Sequence, residues 1–156
     1  DFDGAIREFR AAISLHPNWI WGHIKLAMAL SRSGDHDEAL KEVEIAEAAL
    51  HDSGTPLARC WLGRVYAAAG REEPARVILA QLESSPERYV DPLTRAYVHD
   101  GLGEREEALD CIDQAFRERS PLCSNLKALS LLLPELQLAE SDRFRNILRK
   151  MGLPSV

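Results

Sequence analysis

The sequence lacks two features that would each assign it to a class of protein at once. No apolar run approaches the roughly 20 residues that a bilayer span requires. Lys and Arg number 19 against 25 Asp and Glu, which gives a net charge of −6. A nucleic-acid-binding chain would need a basic face. We therefore expect neither membrane insertion nor nucleic-acid binding by this segment.

The sequence also lacks the residue patterns of common catalytic and metal sites. Cys60, Cys111 and Cys123 are an odd number of cysteines without C-x-x-C spacing. They are typical of reduced, buried cysteines in a cytoplasmic protein. There is no zinc-type Cys/His cluster, no Gly-rich phosphate loop, and no histidine at a telling spacing from a cysteine. We therefore predict that this segment is not an enzyme and carries neither a metal nor a cofactor.

The sequence does contain a repeat of about 34 residues. Ala5, Ala39, Ala75 and Ala108 are separated by 34, 36 and 33 residues. Each alanine begins a stripe of small or apolar residues at spacings of four and three, which places the stripe on one face of a helix. The four stripes are Ala5-Phe9-Ala12, Ala39-Val43-Ala46, Ala75-Leu79-Leu82 and Ala108-Ile112-Ala115. This period is typical of stacked helix pairs.

Turn signals between the stripes predict where the helices end. Gly34, Gly70 and Gly103 each follow a second apolar stripe, the position of a left-handed helix C-cap. A polar or acidic first turn comes directly after each glycine, which favours a new helix N-terminus. We expect helices near residues 1–15, 18–33, 36–51, 55–69, 72–84, 88–102, 105–118 and 141–151.

These motifs resemble the tetratricopeptide repeat. Leu62-Gly63-Arg64-Val65-Tyr66 is similar to the family's Leu-Gly-x2-Tyr segment, and Ala5-x3-Phe9 followed by Pro17 to its second part. His23 or Arg59 replaces the family's tryptophan, and Arg95 and His99 replace a leucine and a tyrosine. The resemblance implies an all-α fold, a right-handed α-solenoid of antiparallel helix pairs with a C-terminal capping helix. Its units would be a half repeat at 1–17, repeats at about 20–53, 56–86 and 89–120, and a helical cap at 121–156.

The C-terminal part carries a second resemblance. Residues 125–127, 134–136, 141–144 and 148–154 look like the end of bacterial multidomain proteins that finish in tetratricopeptide repeats. Those proteins often begin with a nucleotide cyclase, a protein kinase or a winged-helix DNA-binding domain. The resemblance implies that any such domain lies upstream of this segment.

The start of the sequence predicts an uncovered helix. Asp1 is not an initiator methionine, and residues 1–5 resemble the entrance to the second helix of a repeat. We expect a piece of a longer protein, with the apolar side of its first helix partly uncovered at Ile6, Phe9 and Ile13. Fraying or pairing with another copy is the alternative at this end.

The resemblance also implies a concave groove lined by the first helix of each pair. One residue at a time, the family's groove positions correspond to Trp21, Ile24, Lys25, Met28, Arg32, Leu57, Cys60, Trp61, Arg64, Ala68, Leu93, Thr94, Tyr97 and Gly101. Aromatic, Arg and Met side chains suit the recognition of a peptide. Trp21 and Trp61 have the alternative of filling gaps between helices in the core. Ile24 and Met28 stand where a carboxylate clamp would need polar groups, so we expect no chaperone C-terminus as the ligand.

Three functions are compatible with this reading. The first is a protein-interaction scaffold that binds a peptide or a partner domain in the groove, as the C-terminal part of a larger bacterial regulatory protein. The second is a sensor whose groove takes a small molecule or a signal peptide and controls an upstream domain. The third is a structural module that forms a homodimer through the uncovered N-terminal helix.

Overall fold

The fold consists of short helices joined by short turns. The computed structural model describes residues 1–50, 54–84, 89–125 and 141–152, and their regular structure is entirely helical. The α-helices of these residues are α1 (Phe2–Leu15), α2 (Ile20–Ser33), α3 (His36–Leu50), α4 (Pro56–Ala68), α5 (Glu72–Glu83), α6 (Pro92–Leu102), α7 (Arg105–Arg117) and α8 (Asp142–Lys150). A 3-10 helix spans Pro121–Asn125. The predicted boundaries agree closely; α6, which begins at Pro92 rather than near residue 88, differs most.

Local sequence explains the ends of the helices. Thr55 and Ser141 cap α4 and α8, since each hydroxyl accepts a backbone N–H three residues later. Gly34 and Gly103 end α2 and α6 with φ values of 90° and 74°, a region that residues with a Cβ rarely enter. The glycine signals in the sequence therefore predicted these turns correctly.

The helices pack as pairs in two layers. α2 packs on α3, α4 on α5, and α6 on α7, while α4 also contacts α2 and α6. α2, α4 and α6 are buried over most of their length because neighbours surround them on several sides. The alanine stripes of α3, α5 and α7 face the first helix of their own pair and are buried throughout. This arrangement confirms the predicted all-α stack of helix pairs.

α4 and α6 approach each other unusually closely at a glycine. A Cβ added to Gly101 would lie 2.8 Å from the backbone oxygen of Arg64 and 2.9 Å from the Cβ of Ala67. Real Cβ atoms do not make contacts this short with a backbone, so only glycine fits there. α2 and α4 are in less extensive contact with each other than α4 and α6. The stack is therefore tight on one side of α4 and more open on the other.

α8 closes the end of the stack beyond α7. Phe144, Ile147 and Leu148 are buried, and Phe144 and Leu148 are completely inaccessible. Arg143 forms ion pairs with Asp113 and Asp110 of α7, the second at 2.6 Å. The prediction that this helix packs on the final repeat is confirmed. The remainder of the predicted cap, at 126–140 and 153–156, lies outside the described residues.

His23 connects the first turn of the chain to α3. Its side chain is buried, with Nδ1 2.6 Å from Oε2 of Glu42 and Nε2 2.9 Å from the backbone oxygen of Pro17. Both partners accept hydrogen bonds, and only the imidazolium form of histidine can donate to both. Burial alone would lower the pKa of His23, but the hydrogen bonds to Glu42 and Pro17 outweigh it and raise that pKa above its ordinary value.

This arrangement predicts a pH-dependent stability. A raised pKa in the folded state stabilises the protein fully below the unfolded-state pKa of about 6.5, and this contribution is lost as pH rises through the folded-state pKa. We expect the urea midpoint to fall as pH rises above about 6.5, and Glu42→Gln to flatten that dependence. His16→Gln, at an exposed position in the same turn, is the control that should retain it. An unchanged pH dependence in Glu42→Gln would contradict the assignment.

Candidate functional site

A groove opens on the looser side of α4, where α1, α2 and α4 meet. Its volume is about 300 Å³. α1 contributes two phenylalanines and an alanine, α2 contributes two cations and two apolar side chains, and α4 contributes one aromatic and one cation. The lining residues are Phe2, Ala5, Phe9, Lys25, Met28, Ala29, Arg32, Trp61 and Arg64.

Trp61 belongs both to the core and to the groove. Only 6% of it is exposed, and its ring packs on Tyr97 of α6 with a centroid distance of 4.2 Å and a tilt of 39°. The ammonium of Lys25 lies 5.4 Å from the centre of the Trp61 ring. Such a cation–π contact holds the lysine side chain over the ring. Trp61 therefore has both of the expected roles: it fills the interface between α4 and α6, and it lines the groove.

Two cations give the groove its charge. Lys25 lies over Trp61, and the guanidinium of Arg32 lies 5.4 Å from the centre of the Phe2 ring. Among the described residues, those that line the groove include no acidic side chain. The groove is therefore cationic on a chain whose net charge is −6.

Arg64 has a structural partner below the groove. Its Nε donates a 2.7 Å hydrogen bond to Oδ2 of Asp100 in α6, and the side chains are 3% and 0% exposed. A buried ion pair of this kind is favourable only when the two charged groups are well aligned, because both have lost their contact with water. Arg64 also lines a second pocket beside Asp100 and Gly101. We conclude that Arg64 ties α4 to α6 beneath the groove and that Lys25 and Arg32 provide its accessible charge.

The structure brings together five of the fourteen residues that the sequence singled out for the groove. Lys25, Met28, Arg32, Trp61 and Arg64 all line it.

The other predicted positions lie elsewhere. Ile24 and Leu93 are 1% and 0% exposed, so the prediction that they contact a partner is wrong. They fill the core because α2 and α6 are enclosed by neighbouring helices on several sides, and not only along a single stripe. Tyr97 lies behind Trp61, Leu57 is half-buried against the core, and Trp21 is 37% exposed without lining the groove.

The remaining groove positions named from the family resemblance also lie apart from the lining. Cys60 and Thr94 are 0% and 2% exposed, which excludes contact with a partner, while Ala68 and Gly101 line the neighbouring pocket.

Sequence reasoning missed the contribution of α1. Phe2, Ala5 and Phe9 form one wall of the groove. The spacing of Ala5 and Phe9 was recognised as an apolar helix side, but nothing in the pattern placed that side next to Lys25 and Trp61. Ile6, which we expected to be partly uncovered, is 7% exposed and belongs to the core.

A second opening lies at the other end of α1. It has a volume of about 600 Å³ and is lined by Ala12, Leu15, His16, Pro17, Asn18 and Trp19. Leu15 and Trp19 are 76% and 42% exposed. Apolar side chains are therefore accessible at both ends of α1.

The described residues offer little reactive chemistry. Cys60, Cys111 and Cys123 are buried and free, as predicted, and burial raises the pKa of the thiol in each. Within the described ranges, no group of three or more His, Cys, Asp or Glu side chains could hold a metal ion. The helices of these ranges are also too short or too polar to cross a bilayer.

The fold and the groove together define a class of protein. Stacked helix pairs with an accessible groove along their first helices form a repeat protein, and such proteins present extended surfaces to partners. Residues 24–87 match the family model described as tetratricopeptide repeat. This match supports a tetratricopeptide-repeat protein, and the helix pairs of the described residues are consistent with the α-solenoid of that family. No curated protein and no solved structure gives a significant match.

Proposed function

We propose that this protein binds a peptide segment of a protein partner in the groove between α1, α2 and α4. Tetratricopeptide repeats generally mediate protein–protein interaction, which gives the proposal its class. The observation that carries it is the combination of apolar walls and two cations in one accessible groove. Catalysis needs an oriented nucleophile or base, and the described residues that line the groove include no Ser, Cys, His, Asp or Glu.

The groove chemistry suggests how a segment would be held. An apolar side chain of the ligand would lie between Phe9 and Met28, where the apolar area removed from water favours binding. A carboxylate of the ligand would reach Lys25 or Arg32 at the edge of the same groove. A single groove of this size supports micromolar affinity, about −8 kcal/mol.

Met28→Glu is the substitution that tests this proposal. Met28 is half-buried in the groove wall, and a glutamate there would repel an acidic ligand and remove apolar contact. We would select peptides on the wild-type chain from a random library and measure their affinities by calorimetry. Met28→Glu should weaken binding at least about tenfold, or about 1.4 kcal/mol.

Two choices make that test specific. Val77→Glu, on the exposed surface of α5 and 49% exposed, is the matched control and should bind like the wild type. Trp61→Ala is unsuitable, because Trp61 packs on Tyr97 and its loss would destabilise the fold as well as the site. Equal binding by Met28→Glu and the wild type would refute the groove as the peptide site.

The wider setting is also part of the proposal. The resemblance of the C-terminal sequence supports a place at the end of a larger bacterial regulatory protein, and reduced cysteines support the cytoplasm. A pocket of about 300 Å³ is also of a size that takes small molecules. A thermal-shift screen with metabolites distinguishes that sensor function, since a clear stabilisation would favour it over peptide binding.

A further inference from the structure

A pocket next to the groove is formed by equivalent positions of three successive repeats. It has a volume of about 400 Å³ and lies where α2, α4 and α6 end and α3 begins. Arg32, Ala68 and Gly101 line it, and 36 and 33 residues separate them along the chain. We call it the α6 pocket. Its described lining comes from α2, α3, α4, α6 and the turn after α6, so the pocket does not depend on α1.

The sizes of the three equivalent residues create this space. The first repeat carries the long cationic side chain of Arg32, the second only the methyl group of Ala68, and the third no side chain at all, at Gly101. Gly101 has to be small, because an added Cβ would lie 2.8 Å from the backbone oxygen of Arg64. Arg32 therefore borders a space that the next two repeats leave open.

The charge that remains in the α6 pocket is positive. Arg64 and Asp100 also line it, but they neutralise each other in an ion pair at 2.7 Å, with side chains 3% and 0% exposed. Arg32 is partly exposed, and His36 is the other ionisable residue of the described lining. Among the described residues, Asp100 is the only acidic one that lines the pocket. The accessible side chains therefore favour an anion.

The backbone oxygens at the helix ends around the pocket already have hydrogen-bond donors. The carbonyls of Ser31, Ala67 and Asp100 each accept the N–H of the glycine three residues later, at 3.3, 2.9 and 3.0 Å. Carbonyls at the end of a helix would otherwise attract a cation. Since these three have partners, the preference of the pocket is decided by its side chains.

The α6 pocket continues the groove along the same two helices. Arg32 and Arg64 line both of them. On α4 the lining passes from Trp61 in the groove, through Arg64, to Ala68 in the pocket, so the two sites are about one helical turn, or about 5 Å, apart. In an extended peptide, side chains two positions apart point the same way and are about 7 Å apart. The groove and the pocket together therefore match two such side chains of one segment.

We propose that the α6 pocket takes the carboxylate of an aspartate or glutamate of the bound peptide, two positions from the apolar residue that the groove holds. The peptide is extended at this point, and Arg32 provides the positive charge for its acidic side chain. The proposal rests on the proposed function, because it concerns the same bound segment. It adds a recognition pattern to that function: an apolar and an acidic residue with one residue between them.

The peptides selected on the wild-type chain from a random library provide the first test. We expect Asp or Glu to be enriched two positions from the enriched apolar residue. A selected peptide is then synthesised with blocked termini, together with an analogue in which the matching amide replaces that acidic residue. Calorimetry should show about fivefold weaker binding of the amide analogue, the effect of losing one partly exposed ion pair.

Substitutions of Ala68 test where the carboxylate binds. Ala68 is exposed in the last turn of α4, and Ala68→Glu would place a carboxylate in the pocket, in competition with that of the peptide. We expect this variant to lose the preference for the acidic peptide and to bind the amide analogue within about twofold of the wild type. Ala68→Lys adds a cation and should increase the preference.

Two controls make this test specific. Ala49→Glu changes an exposed alanine in the last turn of α3, outside the pocket, and should keep the fivefold preference. Lys25→Met removes the cation over Trp61, which lines the groove but not the pocket, and should change the affinity for both peptides by the same factor. Urea unfolding of each variant identifies any loss of binding that reflects a loss of fold.

Each outcome decides the proposal. Loss of the preference in Ala68→Glu, with a gain in Ala68→Lys, supports it. An unchanged preference in both Ala68 variants overturns it, and so does a preference that Lys25→Met removes, which would place the carboxylate over Trp61. Selected peptides without an acidic residue at this spacing, whose binding Met28→Glu still weakens, would overturn the pocket while the proposed function stands. Failure to select any peptide would overturn both.

Discussion

Replacing Asp100 by Ala is expected to lower the free energy of unfolding by about 3–5 kcal/mol. Asp100 is completely buried, and its carboxylate lies 2.7 Å from the guanidinium of Arg64, which is itself 3% exposed. Removing the carboxylate leaves that positive charge in a site from which water is largely excluded. Urea unfolding followed by circular dichroism measures the loss.

A double substitution is the control for this prediction. Arg64→Met combined with Asp100→Leu removes both charges and keeps side chains of similar length in the interface. Replacing a buried ion pair with apolar residues is often neutral or stabilising, so the double variant should recover most of the loss. A loss below about 1 kcal/mol in Asp100→Ala alone would show that the pair does not hold α4 against α6.

Replacing Phe144 by Ala is expected to cost about 3–5 kcal/mol of unfolding free energy. Phe144 is completely inaccessible and is the largest side chain that α8 places against the stack. α8 has only 9 residues and depends on this packing, because an isolated helix of that length is marginal in water. Urea unfolding measures the loss, and hydrogen exchange of α7 should rise with it.

The contacts of Arg143 give the matched comparison for α8. Arg143 and Asp110 have side chains 36% and 72% exposed, and a pair this exposed contributes at most about 1 kcal/mol. Arg143→Ala should therefore cost much less than Phe144→Ala. Similar losses in the two variants would mean that charge, rather than apolar burial, keeps α8 in place.

The order of the helices was predictable from single residues. Gly34 and Gly103 end helices in a backbone conformation that most other residues avoid. A glycine that follows an apolar stripe therefore predicts a helix end from the sequence alone. The stripes beginning at Ala39, Ala75 and Ala108 predicted which side of each second helix is buried. Both signals are local, since each depends on neighbours within about one repeat.

The composition of the groove was not predictable to the same extent. Ile24 and Leu93 were expected to face a partner, yet the first helices are enclosed by neighbours on several sides and a single stripe does not describe them. The pairing of Arg64 with Asp100 joins residues 36 positions apart, and no periodicity specifies it. Contacts between repeats depend on how closely two helices approach each other. Between α4 and α6, the absence of a side chain at Gly101 allows the close approach.

The close approach at Gly101 also determines where this molecule can bend. Backbone rests against backbone between α4 and α6, and Arg64 locks the same joint to Asp100, so sliding there would break both contacts. α2 meets α4 less extensively, and adaptable side chains such as Met28 and Lys25 lie between them. A change of curvature on ligand binding is therefore expected between α2 and α4, directly beneath the bound segment. α4 and α6 would keep their positions relative to each other.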